Sequence, residues 1–271
     1  MNLLFLTDID GTLMRRDAPM TDAVVTAARE YTARGGLLAV CTGRSVVAAR
    51  ETALRLGVNV PCILYGGASL YDFQSGKHLY LHAFQGDILK SVAVVLERHP
   101  DISMQVFTRE EIYVLRRNAR LNARGVKEEN VGQERTLGEV RGDVVKLVMC
   151  CDDAEELASC AAYFPEETCE FAFASRNFVD VVARGCSKLD AMRALANHVG
   201  VPFAQFFAAG DAMTDLPVLR AAGVSFAPEN AVDAVKAAVS HVVPDVKDGG
   251  MAQAFAMATS RLTEDGKEIT E

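Results

Sequence analysis

The stretch Leu3-Leu4-Phe5-Leu6-Thr7-Asp8-Ile9-Asp10-Gly11-Thr12 decides how the rest of the chain is read. Its first four residues form a continuous apolar run without alternation, the pattern of a strand covered on both faces of a parallel sheet. The run then ends in two carboxylates one residue apart, followed by a glycine. Unpaired acids buried at a strand tip are costly. Either Asp8 and Asp10 stay solvated in a turn, or a cation meets them there.

Further along, strand and helix signals alternate. A helix is predicted from about Asp22 to Ala33, with Thr21 as N-cap and Gly35-Gly36 as its stop. LLAVC (37–41) reads as a strand, Ser45 to Leu56 as a helix ended by Gly57, and CILY (62–65) as a third strand. This β-α-β-α-β order with short loops predicts parallel strands and right-handed crossovers. Residues 69–82 then read as a hairpin turning at Ser75-Gly76.

From about Phe84 to Arg184 the pattern becomes α+β: a helix ILKSVAVVLERH, strands around ISMQVF, IYVLRR and VVKLVMC, a helix DAEELASCAAYF, and a hairpin of EFAFAS with NFVDVVA. After Gly185 the first pattern returns. It comprises helix SKLDAMRALANHVG, strand QFFAA, a helix over 215–222, strand VSFA, helix AVDAVKAAV, strand HVV, a helix over 251–261 and a frayed polar tail after Thr263. The expected fold is α/β, a doubly wound, mostly parallel Rossmann-like core sheet (1–82 and 186–271) interrupted by an inserted α+β domain (83–185).

Composition narrows the function classes. Half of the 271 residues are hydrophobic, which excludes a disordered chain. A net charge of -8 with no basic stripe argues against a nucleic-acid partner, and Arg15-Arg16 and Arg116-Arg117 are too short to alter that. No apolar stretch reaches bilayer length and the start lacks a leader pattern, so a soluble cytoplasmic protein without a membrane partner is expected, as a monomer or homodimer. The seven cysteines show no paired spacing and are expected reduced and buried. A zinc site from Cys150, Cys151 and Cys160 is disfavoured, because adjacent ligands make poor tetrahedral geometry.

Three polar stretches follow predicted parallel strands: Asp8-Ile9-Asp10-Gly11-Thr12, Thr42-Gly43-Arg44, and Gly210-Asp211 with Thr214-Asp215. Ligands in open α/β sheets bind outside the carboxyl ends of the strands, so these stretches are expected to converge. A fourth, Ser187-Lys188, opens a helix. Each has a local explanation as a turn, a cap or a helix-end charge. An EF-hand is excluded, since Pro19 occupies the position of its last glutamate. None of the local explanations accounts for acids, a hydroxyl and a lysine in this order on two halves of one sheet.

Carboxylates from Asp8, Asp211 and Asp215 suit a hard cation, and Mg²⁺ best, because it takes a few carboxylates plus water and phosphate oxygens. An aspartate attacking a phosphate meets repulsion of roughly 4 kcal/mol per unit pair at 4 Å and an effective dielectric of 20, which a bridging cation reverses. Of the two acids in the opening motif, one is suited to be the nucleophile and the other the acid and base, with Thr12 fixing the second.

In DIDGT (8–12), CTGR (41–44), GCSK (185–188) and GDAMTD (210–215), the chain resembles the haloacid dehalogenase superfamily, and specifically its Cof-like subfamily IIB phosphatases. The resemblance implies that the inserted domain is a cap that sets substrate specificity, Asp8 the nucleophile, Asp10 the general acid/base, and Thr42 and Lys188 phosphate ligands. It also implies a Mg²⁺ site at Asp8, Asp10, Asp211 and Asp215, with Thr12, Gly43, Arg44 and Asn230 binding substrate or phosphate. Three departures are visible: Thr214 replaces the family's asparagine, Gly66 replaces another, and Leu189 follows the lysine where glycine is common. The implied activity is hydrolysis of a small phosphorylated metabolite, a sugar phosphate foremost, through an aspartyl phosphate. Phosphomutase or phosphotransferase chemistry is the alternative, and non-catalytic binding of a phosphometabolite ranks last. Arg116, Asn118, Arg176 and Asn177 are candidate cap residues for reading the substrate, among many that simply face solvent.

Overall fold

A computed structural model of the chain describes residues 2–15, 18–123 and 133–265. Arg16 and the last six residues of the expected frayed tail lie outside the described residues. The chain divides into two compact units, Met1–Leu79 with Lys188–Glu271, and Tyr80–Ser187.

The first unit is built on β1 (Leu4–Thr7), α1 (Asp22–Ala33), β2 (Leu37–Val40), α2 (Val46–Leu56), β3 (Cys62–Leu64), β4 (Ser69–Asp72) and most of β5 (Lys77–Leu81). The second holds α3 (Ile88–Arg98), β6 (Ser103–Thr108), β7 (Ile112–Arg116), α4 (Ala119–Asn122), β8 (Val144–Cys150), α5 (Ala154–Ser159), β9 (Cys169–Ser175) and β10 (Phe178–Ala183). The first unit resumes with α6 (Lys188–Val199), β11 (Phe206–Ala209), α7 (Leu216–Ala221), β12 (Val224–Pro228), α8 (Asp233–Lys236), β13 (His241–Val243) and α9 (Met251–Asp265).

The core sheet runs β13-β12-β11-β1-β2, and every pairing is parallel. Its central strand β1 is buried throughout, as its unalternating sequence requires. Phe5 lies 4.3 Å, centroid to centroid, from Phe255 and 6.0 Å, edge on, from Tyr31, whose hydroxyl donates to Leu3 O at 2.7 Å. Such aromatic pairs each add about 0.5–1.5 kcal/mol beyond the area they bury. A rigid, dry strand therefore ends at Thr7, where Asp8 begins.

The third strand keeps the expected parallel direction beside β2 but joins it only briefly. β3 touches β2 through a single parallel bridge, Cys41 to Ile63, and pairs antiparallel with β4 in a separate sheet β3-β4-β5. Side chains take the N–H groups of β2 that a longer neighbour would have used: Leu38 N donates to Asn59 Oδ1 and Val40 N to Cys62 Sγ. The chain then reverses through Tyr65, Gly66 and Gly67, all with positive φ (53°, 70° and 115°). That conformation is easy for glycine and uncommon for tyrosine. Two helices are also shorter than expected: α8 spans four residues, and residues after Ser159 tighten into a 3₁₀ turn over Cys160–Tyr163.

The second unit carries an antiparallel sheet, β7-β6-β8-β10-β9. Arg116, opposite Met104, donates to Leu96 O and His99 O at the end of α3, which marks that sheet face as the one beneath the helix. Alternation places Gln105, Lys146, Val148 and Asp180 on the other face. Among the candidate reader residues, Arg116 is thus spent on a helix end. Asn118 caps α4 through Leu121 N and donates to Asp101 O and Cys150 O, while Asn177 donates to Cys151 O and Asp152 O. Arg176 is exposed. All seven cysteines are free and buried.

Among the described residues, no helix is long and apolar enough to cross a membrane.

Candidate active site

Parallel register makes the polar stretches converge. Thr7 of β1 is level with Ala209 of β11 and Val40 of β2, so Asp8, Gly210-Asp211 and Cys41-Thr42 leave adjacent strand tips together. The chain passes to β2 on one side of β1 and to β11 on the other, which is the switch point at which α/β sheets open a crevice.

At that point Asp8, Asp211 and Asp215 each present a carboxylate oxygen, all within 4.8 Å of one another. Among the described residues no other group of acids, histidines or cysteines is placed so as to hold a metal, and Cys150, Cys151 and Cys160 are not. Lys188 Nζ donates to Asp8 Oδ1 at 2.7 Å and to Asp215 Oδ1 at 2.6 Å. The other oxygen of Asp215 accepts from the N–H groups of Asp211 and Ala212, which locks the GDAMTD turn. Thr12 donates to Asp211 Oδ1 at 2.9 Å. Thr12 therefore fixes the third carboxylate, not Asp10 as expected.

Two glycines make this approach possible. A Cβ on Gly11, whose φ is +88°, would stand 2.4 Å from Asp211 Oδ2. One on Gly210 would stand 2.4 Å from Asp215 Cβ.

Asp10 lies apart from the three acids in its bonding. Arg44 grips it twice, Nε to Oδ2 at 2.8 Å and Nη2 to Oδ1 at 2.7 Å, while Nη1 donates to Ala48 O. The guanidinium expected on a phosphate is thus turned to the second acid of the DxD pair. Thr42 is buried, and its hydroxyl accepts from Arg44 N at 3.2 Å. Gly43 lies half-buried in the same turn. Asn230 donates to Gly11 O at 2.7 Å and accepts from Val246 N at 2.9 Å, so its amide ties the DIDGT turn to the end of the sheet.

Tyr65 was not singled out by sequence. Its N–H donates to Arg44 O, Gly66 N donates to Thr42 O, and the Tyr65 hydroxyl accepts from Val46 N. The left-handed turn after β3 is therefore what holds the TGR turn in place. The only signal for it was the Gly66-Gly67 pair.

The site's charges do not balance. Three carboxylates face the one ammonium of Lys188, and Asp8, Asp215 and Lys188 are each less than a tenth exposed. Burial pushes the Asp8 carboxyl well above its ordinary value; Lys188 opposes this, and Asp215 and Asp211 add to it. Burial and then Asp215 push Asp211 up to about 6, against the hydrogen bond from Thr12. Burial works to lower the Lys188 value, but Asp215 and Asp8 outweigh it and hold the ammonium charged. The group as a whole draws in positive charge.

Comparison with known proteins agrees with this architecture. Residues 5–255 match the family model of haloacid dehalogenase-like hydrolases. The protein M6_Spy0533 of Streptococcus pyogenes serotype M6 is 24% identical over 262 residues, 93% of this chain and 96% of that one. The 5-amino-6-(5-phospho-D-ribitylamino)uracil phosphatase YitU of Bacillus subtilis is 21% identical, over 92% and 95%. In fold, a haloacid dehalogenase-like hydrolase from Bacteroides thetaiotaomicron superposes with a TM-score of 0.82 at 20% identity, covering 95% of this chain and 99% of that one. The subclass IIB sugar phosphatase BT4131 superposes with a TM-score of 0.79 at 21% identity, over 94% and 98%. With the family model spanning nearly the whole chain and the motif carboxylates gathered at the switch point, the chain belongs to the haloacid dehalogenase-like hydrolases.

Proposed function

We propose that the protein is a Mg²⁺-dependent phosphatase that hydrolyses a small phosphorylated metabolite, a sugar phosphate foremost, through an aspartyl phosphate on Asp8. The observation that carries this reading is the convergence of Asp8, Asp211 and Asp215 around one lysine, with negative charge in excess. Hard oxygen donors and a surplus of charge fit Mg²⁺, and burial pushes the nearby Cys41 thiol up, away from the thiolate that a soft metal would take. Asp8, Asp211 and Asp215 would hold it, and Asp10, bonded to Arg44, stands outside that set. When bound, the ion offsets the repulsion between the attacking carboxylate and the phosphate oxygens.

The chain's own groups carry the remaining steps. An Asp8 oxygen forms a bond to phosphorus while the bond from phosphorus to the alcohol oxygen breaks, and a proton from Asp10 goes to the departing alcohol. Asp10 then takes a proton from water, whose oxygen bonds to phosphorus as the acyl phosphate opens, releasing inorganic phosphate and restoring Asp8. The Arg44 fork fixes where the Asp10 carboxyl stands between these two transfers. Thr42, which accepts from Arg44 N, keeps its own O–H to donate to a phosphate oxygen. Lys188 supplies fixed positive charge against the same group. The second unit acts as the cap that selects the leaving group.

Support for the substrate class comes from relatives, since YitU is named for a phosphorylated ribityl compound and BT4131 as a sugar phosphatase. A panel of phosphorylated metabolites assayed for inorganic phosphate, with Mg²⁺ and with EDTA, tests the reading. Metal-dependent phosphate release is expected. Accumulation of an isomeric sugar phosphate would assign the protein to phosphoryl transfer, and no turnover of any member would overturn the reading.

A further inference from the structure

Both turns that carry the metal-site carboxylates are held by one short loop, residues 229–232, which joins β12 to α8. Asn230 Nδ2 donates to Gly11 O at 2.7 Å, and two residues on Val232 N donates to Asp211 O at 3.0 Å. The loop is anchored in turn. Glu229 N donates to Val243 O of β13, Lys236 Nζ donates to Glu229 O, and Asn230 Oδ1 accepts from Val246 N at 2.9 Å.

The two turns differ in what else fixes their backbones. GDAMTD is locked from within by the Asp215 carboxylate. The DIDGT turn closes on itself through Gly11 N to Met14 O and Leu13 N to Ile9 O, and at its start Asp8 N donates to Ala209 O of β11. Those bonds set the shape of the turn and the place where it begins. The far end of the turn, at Gly11, is placed against the rest of the sheet by Asn230. That placement matters to Asp211, because a Cβ on Gly11 would stand 2.4 Å from Asp211 Oδ2 and the next residue, Thr12, donates to Asp211 Oδ1.

Asn230 is exposed, where water replaces a lost hydrogen bond at little net cost to the fold. What the amide fixes is a position. We propose that Asn230 is a positioning residue for the divalent cation: by holding Gly11 O to the same loop that holds Asp211 O, it sets the spacing of the DIDGT and GDAMTD turns at which Asp8 and Asp211 share one ion. The proposal rests on the Mg²⁺ reading and gives Asn230 a role toward the metal in place of the substrate contact that the family resemblance implies. Groups that orient metal ligands without touching the ion commonly carry about ten- to a hundredfold in affinity.

Titration calorimetry of Mg²⁺ into the full-length protein, without substrate, tests it. Asn230→Ala is expected to raise the Kd for Mg²⁺ at least about fivefold, with the metal-free melting temperature close to that of the wild type. Asn230→Asp separates position from charge. It keeps an acceptor for Val246 N but has no donor for Gly11 O, and its added negative charge alone would tighten cation binding. Weaker binding is expected in this variant too. Tighter binding in Asn230→Asp, a wild-type Kd in either variant, or failure of both variants to fold overturns the proposal and leaves the amide a structural tie. No binding of Mg²⁺ by the wild type overturns the metal reading itself, and the positioning role with it.

Discussion

At the tips of β1 and β11, three carboxylates face one ammonium; on the face of β8 and β10, one carboxylate faces one ammonium. Both lysines are buried and both make contacts of 2.6–2.7 Å. The difference lies in the sums. The pair at Lys146 sets one charge against one, while the group at Lys188 is short of positive charge and draws in protons or a cation. A surplus that packing cannot relieve distinguishes a reactive centre from a buried ion pair more sharply than burial does.

The largest effect should come from removing the nucleophile. Asp8→Asn is expected to lower Mg²⁺-dependent phosphate release by at least about a thousandfold. Because it also removes one surplus charge, the metal-free variant should melt higher than the wild type in calorimetry. A lower melting temperature would mean that the three-to-one imbalance is not felt by the fold, and retained turnover would sink the nucleophile assignment.

Removing each lysine in turn compares the two clusters directly. Lys188→Met and Lys146→Met each leave buried carboxylate uncompensated, at a cost of about 3–5 kcal/mol. Millimolar Mg²⁺ should restore much of the stability of the first variant, through binding to the folded state, and little of the second. Equal restoration in thermal melts would show that the ion does not bind at Asp8, Asp211 and Asp215.

Gly11→Ala should act more modestly on the fold, by about 1–2 kcal/mol for the left-handed backbone, but strongly on turnover. The new Cβ would displace Asp211, 2.4 Å away, from its bond with Thr12. A variant with wild-type kcat would show that the position of Asp211 is not critical.

Much of this was legible in the sequence because the relevant signals are local and periodic. The unbroken apolar runs ending in DIDGT and GDAMTD announce buried parallel strands, and register alone then brings Asp8 and Asp211 together. What was not legible depends on side chains choosing among several possible partners. Arg44 has both a phosphate and Asp10 within the logic of its motif, and only geometry shows its fork on Asp10. Thr12 went to Asp211 because the Gly11 turn brings the two strand tips closer than the spacing within DIDGT suggests. β3 meets β2 through one parallel bridge only, because Asn59 and Cys62 side chains, invisible to hydrophobic pattern, take the N–H groups of Leu38 and Val40. The single lysine in VVKLVMC was a readable signal, since a charge in a fully buried strand demands a partner, but the sequence does not say that the partner is Asp180.

The finest distinction between the clusters is in their response to pH. Asp211 has its carboxyl raised to about 6 by burial and by Asp215, so between roughly its unfolded value near 4 and pH 6 the folded state holds a proton that the unfolded state has released. Stability from this group is therefore full below about pH 4 and is lost as pH rises through about 6, the reverse of an ordinary ion-paired carboxylate. Acid titration of other groups masks the trend in the wild type alone, so the quantity to follow is the difference in melting temperature between wild type and Asp211→Asn. Without metal, that difference should move against the wild type from pH 4 to 7 and then level off. With saturating Mg²⁺, which binds the ionised carboxylates, it should shrink or change sign. Mg²⁺ should leave the difference in melting temperature between wild type and Asp180→Asn unchanged, because that carboxylate is already held by Lys146. A slope that Mg²⁺ leaves untouched would place the ion elsewhere and remove the contrast between the two buried clusters.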